Sequence, residues 1–182
     1  MTHHQERILK LLDENEIQFT SLHHEETRTS ADSARVRGVD LSTGGKALVL
    51  KVRNDNDSSG SDHDHDDHGD GDDDDDKNNG FALFIVSAVR QLNTKKIKKE
   101  FQVKDVRFAT KEELAALTGG LVPGSVPPFG RPILNLDLYV DTSIAENEII
   151  AFNCGSLTDS IIMSVKDYLA VAAPTKVFAF SK

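Results

Sequence analysis

Two apolar runs, Lys46–Val52 (KALVLKV) and Phe81–Val89 (FALFIVSAV), flank a segment that contains no apolar residue, Asn54–Gly80. Runs this apolar and this short read as strands buried within a sheet. A hairpin joins them at small cost even through a long connection, because loop-closure entropy grows only slowly with length. The connection has nothing to bury against the entropy of ordering it, so it is expected to be disordered. It also distorts the charge of the chain. Residues 54–80 hold twelve Asp and one Lys, a local charge of −11 against −9 for all 182 residues, so the remainder is slightly basic at +2. The overall acidity is therefore no argument against a polyanionic partner such as RNA.

The remaining chain supplies elements to pack around that hairpin. Ile8, Leu11 and Leu12 give Glu6–Asn15 one apolar helical face. Ile17–Leu22 reads as a strand, and Ser30 as the cap of a helix over Ala31–Arg37 that Gly38 ends. Asn93 opens a helix over Thr94–Phe101, and Thr110 with Glu113 forms a capping box for a helix to Leu117. Strands are expected at Val106–Ala109, Ile133–Val140, Ile149–Asn153, Ser160–Met163 and Lys176–Phe180, with a polar turn over Asp141–Asn147. Ser164 caps a last helix to about Ala170. Strands and helices alternate without a βαβ period. The expectation is one α+β domain, residues 1–182, with a curved, mixed, barrel-like sheet, helices packed outside and the acidic insert at 54–80.

No apolar run reaches the ~18 residues of a membrane span, and the N-terminus lacks the apolar core of a signal peptide. The single cysteine, Cys154, has no partner for an internal disulfide. A cytoplasmic protein is expected.

Chemistry-bearing residues are few. Gly119–Gly130 (GGLVPGSVPPFG) is too rich in glycine and proline for a regular element. It reads as a rigid loop, either a structural crossover between a helix and a strand or a surface whose bare main chain can hold a phosphate, a ribose or a water. Lys46 starts an apolar strand after Gly44–Gly45, so it is held rather than mobile, its ammonium open to a phosphate or carboxylate or simply reaching solvent from the strand end. No G-x-S-x-G, Walker A or G-x-G-x-x-G motif occurs. Cys154 reads as a structural thiol. The Asp/His insert resembles a weak divalent-ion binder rather than a defined site: its calcium-loop-like start carries Asp66 where Glu is needed, and no helices flank it. Arg90, Lys95, Lys96, Lys98, Lys99, Lys104, Arg107 and Lys111 form the densest basic run, open to a nucleic-acid backbone or simply to solvent.

Three stretches together resemble the YbaK / prolyl-tRNA synthetase-associated editing domain family. TSADSARVRGVDLSTGGKALVLKV is similar to its helix, glycine-rich approach and lysine-bearing strand; LTGGLVPGSVPPFG to its substrate loop; and FNCGSLTDSIIMSVKDYL to its C-terminal strand pair and helix. The resemblance implies an aminoacyl-tRNA deacylase acting in trans, without a protein nucleophile, metal or cofactor. Lys46 falls on the family's functional lysine and Gly124–Pro128 on its G-x-x-x-P motif, which makes Lys46 and Gly124 the catalytic candidates. Gly120, Ser125, Val126, Pro128 and Phe129 are the substrate-binding candidates, and residues near Ala34, Val36, Leu48 and Phe129 the wall for the amino-acid side chain. The implied partners are mischarged tRNA and an aminoacyl-tRNA synthetase, with no membrane and no DNA. Two alternatives stand beside this reading: a non-catalytic tRNA- or synthetase-binding module of the same fold, and a metal buffer built on the insert.

Overall fold

A computed structural model describes residues 1–53 and 80–182. The expected disorder of the insert and its metal-buffer reading lie outside the described residues. The chain opens with α1 (His3–Glu14), capped by reciprocal hydrogen bonds between Thr2 and Gln5, and its apolar face puts Ile8 and Leu12 fully in the core. β1 (Phe19–His23) and α2 (Ser30–Arg37) follow. The cap of α2 is Thr29, one residue before the expected Ser30; its hydroxyl accepts the N–H of Asp32, and Gly38 ends the helix in the left-handed region. β2 (Gly45–Arg53) and β3 (Phe81–Ser87) form the antiparallel pair expected around the insert, with Lys46 opposite Val86 and Lys51 opposite Phe81.

Then come α3 (Thr94–Phe101), β4 (Asp105–Phe108), α4 (Lys111–Thr118), β5 (Asp137–Asp141), α5 (Thr142–Ala145), β6 (Ile149–Asn153), β7 (Asp159–Ser164), α6 (Val165–Ala172) and β8 (Lys176–Phe178). Two expectations are corrected here. The strand expected over Ile133–Val140 begins only at Asp137. Ile133, Leu134 and Leu136 are buried from a turn in which the N–H of Leu134 bonds the carbonyl of Gly130. A Cβ at Gly130 would lie 2.5 Å from the Leu136 carbonyl oxygen, so only glycine allows that fold-back. The polar turn expected over Asp141–Asn147 contains a helical turn, because the Asp141 carboxylate accepts the N–H of Ser143 and caps it.

The strands form two sheets, β1-β7-β6 and β4-β2-β3-β5-β8. Pairing is antiparallel except for β3–β5 and β5–β8, which are parallel. The barrel-like expectation is therefore corrected: the described strands make no closed barrel. The larger sheet ends at β4 and β8, and an isolated bridge between Gly44 and Ala151 links the two sheets. β3 is buried on both faces. Its residues Phe81, Leu83 and Ile85 join the core beneath α1 and the smaller sheet, and Ala82, Phe84 and Val86 join a second core with Ile97, Val103, Val106 and Phe180.

Asp141 fastens the C-terminus to this frame. Its buried carboxylate accepts from the main-chain N–H groups of Phe180 and Ser181 and from the Ser181 hydroxyl. The tethered tail in turn pairs with Gln91 and Asn93 through main-chain bonds, which fixes the segment carrying Arg90.

Candidate active site

A cavity of about 210 Å³ opens where α2, the start of β2 and the Gly/Pro loop meet. The α2 side gives it Thr27, Thr29, Ser30, Ser33, Ala34 and Arg37. β2 gives it Gly45–Leu48, the loop Gly124 and Val126, and β6 the end residue Asn153. β4 pairs with β2 only from Leu50 onward, so the outer edge of Gly45–Leu48 has no strand ladder on it. Unpaired main-chain groups on such an edge are available to a ligand.

Alternation along β2 places Lys46 on the same face as Leu48 and Leu50. Its ammonium donates to the carbonyl of Arg90 at 2.7 Å. Among the described residues no carboxylate pairs with it, and burial lowers its pKa from the ordinary lysine value. An ammonium has three donors, so two remain for a substrate oxygen.

Gly124 sits at φ 88°, in the left-handed region that favours glycine, and a Cβ there would press on Leu157 Cδ2 at 3.3 Å. Its carbonyl is held by Asn153, whose Nδ2 donates to it at 2.7 Å. Asn153 is held in turn. Its Oδ1 accepts from Arg37 Nη2 at 2.6 Å and from the Ser160 hydroxyl at 3.1 Å. Arg37 also donates through Nε to Ser160 at 2.9 Å, and His24 Nε2 lies 2.7 Å from the same hydroxyl. Burial brings the Arg37 pKa down to about 10. No carboxylate answers this guanidinium among the described residues; its partners are neutral oxygens.

The sequence candidates thus separate. Lys46, Gly124 and Val126 meet at the cavity, as do Ala34 and Leu48, while Val36 does not line it. Gly120 and Ser125 face a second depression across the loop, shared with His4, Arg7 and Asn135. Ser125 is spent inside the loop: its hydroxyl accepts from the N–H of Val122 and donates to the carbonyl of the same residue. Pro128 is buried, and its carbonyl accepts from the Tyr168 hydroxyl at 2.8 Å. Phe129 is 1% exposed and stacks edge-on against Phe152 and Tyr168. Cys154 is buried, and its surroundings push the thiol up to about 12, which leaves it protonated and non-nucleophilic at neutral pH. Arg37 and Asn153 were not singled out from sequence. Arg37 passes there for an ordinary last-turn cation, and Asn153 for the end of a strand.

The cavity brings Lys46, the unladdered edge of β2 and Gly124 together. Comparison with known proteins gives it a class. The aminoacyl-tRNA editing domain matches residues 24–171, and the chain belongs to that family of aminoacyl-tRNA hydrolases. A multifunctional Ser/Thr-tRNA deacylase, ProXp-y, of Escherichia coli strain K12 is 30% identical over 171 residues, covering 93% of this chain and 88% of its own. A proline–tRNA ligase of Sulfurihydrogenibium sp. strain YO3AOP1 is 43% identical over 66 residues, 36% of this chain and 11% of the ligase. The crystal structure of a proposed trans-editing enzyme for prolyl tRNA synthetase superposes with a TM-score of 0.71 at 22% identity, covering all of this chain and 98% of that one. Among the described residues, no helix is long and apolar enough to cross a membrane.

Proposed function

We propose that this protein hydrolyses the ester of mischarged tRNA in trans, with the terminal adenosine and its amino acid seated in the cavity between α2, β2 and the Gly124 loop. The whole chain, 1–182, acts as one editing domain that carries an insert at 54–80. The observation that carries the reading is the meeting of Lys46, which no carboxylate pairs with among the described residues, with Gly124 and Val126 at one cavity. Lys46 holds the ester or the terminal phosphate electrostatically. Main-chain groups of the loop place the adenosine and a water, and a 2′-hydroxyl of the tRNA helps activate that water. Water adds to the ester carbonyl carbon, the bond to the ribose oxygen breaks, and that oxygen takes up a proton. Free amino acid and tRNA leave. Catalysis of this kind rests on positioning and preorganised dipoles rather than on a protein nucleophile.

The wall supports a small, hydroxylated amino acid as the group removed. Ala34 and Ala47 leave room for a small side chain, and the hydroxyls of Thr27, Ser30 and Ser33 offer it polar partners. Serine and threonine fit this wall, and the Escherichia coli relative is named for their tRNAs. A methylene more or less is worth only ~1–3 kcal/mol in such a pocket, so related small amino acids are expected to react more slowly rather than not at all.

The test is amino-acid release from seryl-, threonyl-, alanyl- and cysteinyl-tRNA, each with and without EDTA, and with a terminal adenosine lacking its 2′-hydroxyl. Turnover on the seryl and threonyl esters, indifferent to EDTA and lost with the 2′-hydroxyl, supports the reading. Binding of tRNA without turnover on any ester would instead assign a docking module of the same fold, and turnover lost with EDTA would assign a metal-dependent reaction.

A further inference from the structure

Gly124 lines the cavity from an irregular loop, and no main-chain ladder holds its carbonyl. The side chain of Asn153 does, and the donors around that side chain allow it one orientation. Arg37 can only donate, so the Asn153 atom it meets at 2.6 Å must be the oxygen. The nitrogen is thereby turned toward Gly124, where it donates at 2.7 Å. The Ser160 hydroxyl donates to the same oxygen and accepts from Arg37 Nε, which closes a ring of three side chains from α2, β6 and β7. All three elements are regular, whereas the loop they grip is not.

We infer that Asn153 is a positioning residue for the deacylation proposed above: oriented by Arg37, it fixes the Gly124 carbonyl and with it the main chain that places the reacting groups. The inference rests on that reading of the cavity. It assigns to Arg37 the task of choosing the amide's orientation, which explains a half-buried guanidinium spent on neutral oxygens. It also explains why residues nearly thirty positions apart meet at one carbonyl.

Asn153→Asp tests this with almost no change of shape. The carboxylate keeps both acceptor contacts and gains an ion pair with Arg37, but turns an oxygen toward the Gly124 carbonyl. The variant is expected to lose kcat on seryl- or threonyl-tRNA by about 10–100-fold, the scale of a small misplacement at a reacting centre. KM should stay within threefold and the melting temperature should hold or rise. Activity and stability then move in opposite senses, which a merely structural role would not produce. Should Asn153→Asp not fold, Arg37→Lys replaces it: the charge is kept, the fork that sets the amide is lost, and a kcat-selective loss is again expected. Wild-type kcat in a folded Asn153→Asp protein, or in folded Arg37→Lys, would overturn the inference while leaving the deacylase reading intact. A wild-type protein with no turnover on any ester would overturn that reading first, and the inference with it.

Discussion

Lys46 lines the cavity and donates to the Arg90 carbonyl, and what was legible in the sequence is its place at the head of β2. A lysine at the head of an apolar strand after two glycines has few places to go. The loop around Gly124 was legible as irregular main chain because it is so rich in glycine and proline. Arg37 and Asn153 were not, because their roles come from contacts more than a hundred residues apart, such as Arg37 with Ser160, that no local pattern encodes. The roles expected for Ser125 and Phe129 remain proposals: one hydroxyl is engaged within its own loop, and the other side chain is packed in an aromatic cluster. Cys154 permits a direct check on the absence of a protein nucleophile. With its thiol pushed up to about 12 by burial first and by Asp159 second, the native protein should resist iodoacetamide at pH 8 and keep full activity. Stoichiometric alkylation with loss of turnover would contradict this.

At the scale of elements, caps and apolar runs were informative and turns were not. The capping box at Thr110 and Glu113 is present as expected, and Glu113 also takes both forks of Arg107, which holds its carboxyl at about 2 together with the Thr110 N–H. Thr110→Ala should lower stability by about 1 kcal/mol in denaturant titration with an unchanged slope. A loss under a few tenths would mean that Arg107 and Glu113 hold the helix start without the cap. The start of β5 was misjudged because Ile133, Leu134 and Leu136 are buried like strand residues while lying in a turn. Burial gives the apolar signal, and the glycine-dependent fold-back at Gly130 decides the conformation. The helical turn after Asp141 was hidden for a related reason: its composition is that of a polar turn, and only the capping carboxylate makes it helical.

At the scale of the molecule, the sequence indicated the β2–β3 pair at the centre, of which β3 is buried throughout and β2 only at Val49 and Leu50, but not how the outer strands divide. The division into two sheets depends on which edges meet, and that is set by α1, the Gly44–Ala151 bridge and the tethered C-terminus. Asp141 links this architecture to pH. Burial alone would raise its pKa, but hydrogen bonds from Ser143, Phe180 and Ser181 outweigh it and depress the folded value. The stabilisation is therefore complete above the unfolded carboxylate pKa of about 3.9 and is lost as pH falls through the lower folded value. Asp141→Asn should cost about 3 kcal/mol at neutral pH and flatten the acid limb of the stability curve below pH 4. An unchanged acid limb would move that dependence to other carboxylates. The tail that Asp141 tethers also fixes the Arg90 carbonyl that receives Lys46, so the fold reaches the site through this anchor. The most direct test of the whole account is the rate of ester hydrolysis on seryl- and threonyl-tRNA by the wild type and by Lys46→Ala, measured side by side with their melting temperatures. The account predicts clearance of the ester by the wild type and a loss of about 100-fold or more in the equally stable variant. Equal rates in the two proteins would contradict it.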